Sequence, residues 1–94
     1  MQESEAARVA EALRAYGLIA TVARPSAYRF GVRVPLGDGR EALWDVDGAA
    51  GLEAQIMRDG VLVGFVPQIE GSENFDEAMT ARAIATADYG TAGT

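Results

Sequence analysis

The sequence predicts an α+β domain in which a five-stranded antiparallel meander packs against an N-terminal and a C-terminal helix, in the order α-β-β-β-β-β-α. Both ends of the chain have helical periodicity, and residues 28–36 alternate strictly between apolar and other residues. Two glycine turns, at 37–39 and 59–60, lie between strand-like segments. Because 94 residues suit one core, we predict a single domain over residues 1–89, with residues 90–94 as a disordered tail.

The first element is a helix predicted from Glu3 to Tyr16. Ser4 can cap its first turn, and Gly17 can adopt the left-handed conformation that ends it. Its apolar residues recur at steps of three and four, so they share one face: Ala6, Val9, Ala10, Leu13 and Tyr16.

The first two strands follow this helix. Residues 18–24, LIATVAR, are rich in strand-forming residues and stop before Pro25, which disfavours helix in the residue ahead of it. The alternation across residues 28–36 indicates a half-buried second strand.

The register of the second and third strands follows from which side chains can be buried. A two-residue turn would set Asp45 opposite Val32, inside the core, at a high desolvation cost. A three-residue turn with Gly39 at positive φ instead pairs apolar residues: Val34 with Ala42, Val32 with Trp44, and Phe30 with Val46. This register turns Trp44 inward.

The same register places charged residues on the opposite, outer face. Arg29 lies opposite Asp47 there, and Arg33 lies diagonal to Asp45, so we expect each arginine to neutralise one carboxylate.

Asp59-Gly60 decides whether the fourth element is a strand or a helix. Residues 49–58 have helix-friendly composition, and a helix there is the alternative prediction. The dipeptide is typical of a type I′ hairpin, which favours a strand and pairs Ile56 with Val63 and Ala54 with Phe65. Gly64 inside the fifth strand is compatible with a bulge, a close backbone approach, or simple tolerance of glycine.

The last helix is predicted to begin with Asn74 as its cap and Glu77 completing a capping box. Its apolar residues, which we expect to dock on the sheet, lie at four-residue steps, with Ile84 close by: Phe75, Met79, Ala83 and Ala87.

Absent residue types limit the chemistry. The chain contains no His, Cys or Lys, and all eight basic residues are arginine. The common general bases, nucleophiles and nitrogen or sulfur metal ligands are therefore missing, and we expect no enzyme activity, catalytic residue, cofactor or metal. A calcium loop begun at Asp45 would place Ile56 at its twelfth position, where Glu is required. A carboxylate-dependent enzyme using Asp45 and Asp47 stays an alternative.

Charge bears on partners and on location. The formal net charge of -6 disfavours nucleic acid as a partner. An acidic mimic of nucleic acid is an alternative if its carboxylates cluster: Asp45, Asp47, Glu53, Glu70 and Glu73. An acidic N-terminal segment, the lack of a long apolar run and the lack of Cys predict no membrane association and a cytoplasmic location.

One surface is worth testing. If both helices cover the Trp44 side of the sheet, the outer face presents apolar residues among the charges: Leu43, Met57, Leu62 and Val66. Such a cluster often marks a protein contact, so we expect a small binding or regulatory module whose partner is a second copy of the chain. The alternative is that a helix or the tail covers this face.

Overall fold

The computed structural model describes residues 1–26, 29–46, 51–87 and 89. The elements are α1 (Glu3–Ala15), β1 (Thr21–Ser26), β2 (Arg29–Pro35), β3 (Arg40–Val46), β4 (Leu52–Arg58), β5 (Val61–Val66), a 3-10 turn (Ser72–Asn74) and α2 (Glu77–Thr86). All five strands form one antiparallel sheet in the order β1-β2-β3-β4-β5. The predicted α+β class and element order are confirmed, and the alternative helix in place of β4 is wrong.

Helix α1 begins at Glu3 and is closed at Gly17, both as predicted, but its N-terminal cap differs from the prediction. Gly17 has a φ of 83°, and the Gly17 and Leu18 amides donate to the carbonyls of Arg14 and Leu13, which closes the helix in a Schellman motif. Ser4 lies inside the helix rather than at its cap. Gln2 occupies the cap position without a side-chain hydrogen bond.

The β2–β3 hairpin has the predicted register. Val32 lies opposite Trp44 and Val34 opposite Ala42. The Leu36 amide donates to the Arg40 carbonyl at 2.9 Å, which leaves residues 37–39 as the three-residue loop. Gly39 has a φ of 90°, a conformation that residues other than glycine rarely adopt.

The β4–β5 hairpin has the predicted turn and a different register. Asp59 and Gly60 have φ values of 52° and 80°, as a type I′ turn requires. The register shifts between Ile56 and Met57, however, and Val63 is the additional residue in β5. A bulge of this kind exchanges the faces of all residues beyond it.

The predicted strand pairs beyond that bulge are therefore wrong. Ile56 lies opposite Gly64 and Ala54 lies opposite Val66.

Helix α2 differs from the prediction in its start and in its docking face. Asp76, not Asn74, caps the helix by accepting a hydrogen bond from the Met79 amide at 2.8 Å. The buried residues are Thr80, Ala81 and Ile84, whereas Met79 is 48% exposed. The expected face is wrong for Met79 but right for Ile84, which is in the core. Helix α2 packs beside α1, where small residues such as Ala81 permit close approach between the helices.

Both helices lie on one face of the sheet, where α1 packs across β1 and β2. The core between the helices and the sheet includes Leu13, Val32, Trp44, Leu52 and Ile84. The inward orientation predicted for Trp44 is confirmed, since it is 1% exposed.

Tyr89 closes the core over Trp44. The indole Nε1 donates to the Tyr89 hydroxyl at 3.0 Å, that hydroxyl donates to the Ile84 carbonyl at 2.6 Å, and the two rings meet edge to face. Arg40 also donates to the Tyr89 carbonyl at 2.9 Å. Burial raises the pKa of the Tyr89 phenol to about 12. The disordered tail predicted for residues 90–94 lies outside the described residues.

Candidate protein-binding surface

The face of the sheet opposite the helices presents a cluster of apolar side chains near β5. Leu43 lies opposite Gln55, which lies opposite Phe65, while Met57 lies opposite Leu62 in the adjacent row. Leu43 and Met57 are half-buried, Leu62 is 45% exposed and Phe65 is 66% exposed. We call Leu43, Met57, Leu62 and Phe65 the outer patch.

Val66 does not belong to this surface, so its predicted placement on the outer face is wrong. It is 7% exposed and packs in the core beneath the helices. The bulge at Val63 is the physical reason, because the additional residue turns Val66 inward and Phe65 outward. Sequence reasoning missed Phe65, and Gly64 was the one signal in the strand that could have indicated the bulge.

Strand β5 is exposed on more than one side. It is the last strand of the sheet, and none of its six residues is charged. Val61 is 62% exposed and Val63 is 52% exposed, in addition to Leu62 and Phe65. An apolar edge strand without charged residues is the kind of surface on which strands from other chains pair.

Charged side chains lie directly beside the outer patch, since Arg33 is opposite Leu43 and Glu41 is opposite Met57. Arg33 forms an ion pair with Glu41, which is diagonal to it across the β2–β3 ladder. The predicted partner, Asp45, lies on the other diagonal and instead contacts the Met1 ammonium at 3.4 Å. The predicted pair of Arg29 and Asp47 lies outside the described part of the structure, which includes neither Asp47 nor the side chain of Arg29.

The alternative functions gain no site from the described residues. Asp45 lies opposite Glu53, but Asp45 is buried, so the two do not form an exposed anionic surface. No group of three potential metal ligands occurs in the described part of the chain. None of the described helices has both the length and the apolar character that a membrane span needs.

Two shallow grooves lie on the helices. One, of about 300 Å³, lies between α1 and α2 and is lined by Ala12, Ala15, Tyr16, Ala78 and Ala81. The other, of about 260 Å³, includes Met79 and Arg82 on the outer side of α2. Among the described residues, neither lining contains a carboxylate.

Comparison with protein-family models, with curated proteins and with solved structures gives no match for this chain.

Proposed function

We propose that this protein is a small non-catalytic binding or regulatory module that self-associates through the outer patch. The observation that supports this proposal is the exposure of Phe65, an aromatic side chain that is 66% exposed on a face that the helices do not cover. Burying a side chain of this size contributes about 1.5–3 kcal/mol, and aromatic residues commonly dominate binding energy at interfaces.

The charge distribution permits a second copy as the partner. Each chain has a net charge of -6, so two copies repel one another at long range. The outer patch itself is uncharged, and at its border Arg33 and Glu41 neutralise each other within one chain. Like charges are therefore not forced together at the contact.

Light scattering over a dilution series tests this proposal. We expect a dimer that dissociates on dilution, and Phe65→Ser should raise its dissociation constant about tenfold or more. Ile19→Ser is the matched control, because Ile19 is 72% exposed but lies before β1, away from the outer patch. A monomer at every concentration, or equal effects of the two substitutions, would contradict the proposal.

A further inference from the structure

We infer that two copies join edge to edge, with β5 of one chain pairing antiparallel to β5 of the other about a two-fold axis. The result is one continuous sheet of ten strands. This inference rests on the proposed self-association and specifies its geometry: the two outer patches become neighbours on one face instead of stacking against each other.

The two edges of the sheet differ in a way that selects β5. At the other edge, β1 contains Arg24 and Pro25, and its pairing with β2 is irregular between Ala23 and Ser26. A charge and a proline are common means of preventing edge pairing, whereas the irregularity does not distinguish the two edges, because β5 has its own bulge at Val63. β5 contains neither a charge nor a proline. Because only one edge is open, pairing closes at a dimer and does not extend into a filament.

Exposure on both sides of β5 favours edge pairing over stacking of the outer faces. Leu62 and Phe65 point to the outer face, whereas Val61, opposite Arg58, lies on the other side of the sheet and is 62% exposed. Stacked outer faces would leave Val61 in solvent. A neighbouring strand at the edge places new side chains beside residues on both sides.

The bulge makes β5 complementary to itself. Residues that lie opposite each other in an antiparallel pair are on the same face of the sheet. In a regular strand, residues 62 and 65 are on different faces, so they could not lie opposite each other in a pair formed with a second copy. The additional Val63 puts Leu62 and Phe65 on the same face and Val61 and Val66 together on the other. The full strand then pairs in register: Leu62 with Phe65 of the second copy, Val61 with Val66, and Val63 with Gly64, which has no side chain to obstruct it.

A distance measurement separates this geometry from stacking. Since the chain has no Cys, Thr21→Cys supplies a single exposed site on β1 for a nitroxide label. Edge pairing separates the two labelled sites by nine strand spacings, roughly 40 Å. Stacked outer faces lie about 10 Å apart and bring these sites within about 30 Å of each other. We expect double electron–electron resonance to give the longer distance.

Matched edge substitutions supply the second readout. Val63→Lys introduces a charge on the β5 edge and should weaken the dimer at least tenfold. Val22→Lys makes the same change on β1, where Val22 is 40% exposed, and should change the dissociation constant less than twofold. Circular dichroism checks that both variants are folded.

The outcomes also distinguish the two proposals. A dimer whose labels lie within about 30 Å, or a dimer weakened equally by both lysines, overturns edge pairing and leaves self-association standing. A wild-type monomer at all concentrations overturns both.

Discussion

Two glycines in strands, Gly31 in β2 and Gly64 in β5, show how differently the two halves of the sheet are packed. A Cβ atom added to Gly31 would clash with the Trp44 carbonyl oxygen, closer than any real Cβ contact. A Cβ added to Gly64 would lie 3.7 Å from Cβ of Ile56, an ordinary contact. β2 therefore requires glycine for close backbone approach, whereas β5 has spare room.

The aromatic residues of the two halves show the same difference. Trp44 is enclosed by the helices and by Tyr89, and its indole nitrogen is hydrogen-bonded. Phe65, only two strands away, is mostly in solvent. The core is thus packed around Trp44, and the self-association proposed above would use the β5 side of the sheet, where Phe65 is exposed.

The largest expected effect is the difference in stability between truncating Trp44 and truncating Phe65. Trp44→Ala should lower the free energy of unfolding by about 3–5 kcal/mol, because it empties a large volume in the core. Phe65→Ala should change it by less than about 0.5 kcal/mol at a concentration where the chain is monomeric. Urea unfolding followed by circular dichroism measures both, and similar losses for the two variants would refute the contrast.

Alanine at the two glycines sharpens the comparison without removing any side chain. Gly31→Ala should lower the free energy of unfolding by about 3 kcal/mol, because the β2 or β3 backbone must shift. Gly64→Ala should be neutral or stabilise the protein by up to about 1 kcal/mol, since alanine restricts the unfolded chain. Thermal unfolding of the pair gives the test, and a tolerated alanine at position 31 would contradict the close approach.

Tyr89→Phe probes the closure over Trp44 with a smaller change. It removes the hydroxyl that accepts from the indole, so a buried donor loses its partner. We expect the free energy of unfolding to fall by about 1–2 kcal/mol near neutral pH. Chemical unfolding at pH 7 measures this, and unchanged stability would mean that water replaces the hydroxyl.

The pH dependence of stability provides a second test of that closure. The pKa of Tyr89 is raised to about 12 by burial, so the unfolded chain releases this proton at lower pH than the folded one. The stabilisation is present below about pH 10 and is lost as the pH rises towards 12. Unfolding titrations should show this decline for the wild type, and Tyr89→Phe should remove it.

The smallest expected effect concerns the ion pair between the helices. Arg8 donates two hydrogen bonds from Nε to Glu77, and these bonds lower the pKa of the Glu77 carboxyl. The contribution to stability is present above the ordinary glutamate pKa and is lost as the pH falls through the lowered value. Because the pair is exposed, Glu77→Gln should lower the free energy of unfolding only slightly. Added salt should reduce this difference between the wild type and the variant further.

Local signals were sufficient for much of the fold. Gly17, the loop at residues 37–39 and the Asp59-Gly60 turn each act through the conformations available to a few neighbouring residues. The β2–β3 register followed as well, since a two-residue loop would have buried a carboxylate. Each of these features depends on interactions within a short stretch of the chain, so the sequence of that stretch is enough to predict it.

The candidate site was predictable only in part. Leu43, Met57 and Leu62 were placed on the outer face by alternation, and the structure has them there. Alternation could not predict that Phe65, and not Val66, lies on the outer face. A bulge costs little by itself, so whether it forms depends on which residue the core on the other face accepts.

The sequence alone therefore determined the order of elements, the turns and one strand register, because these arise from backbone preferences and from the cost of burying charge. The tertiary structure decided which face of α2 docks, that Tyr89 covers Trp44, and that Phe65 points to solvent. Each of those outcomes is a competition between residues far apart in the chain for the same volume, and only the packed core resolves it.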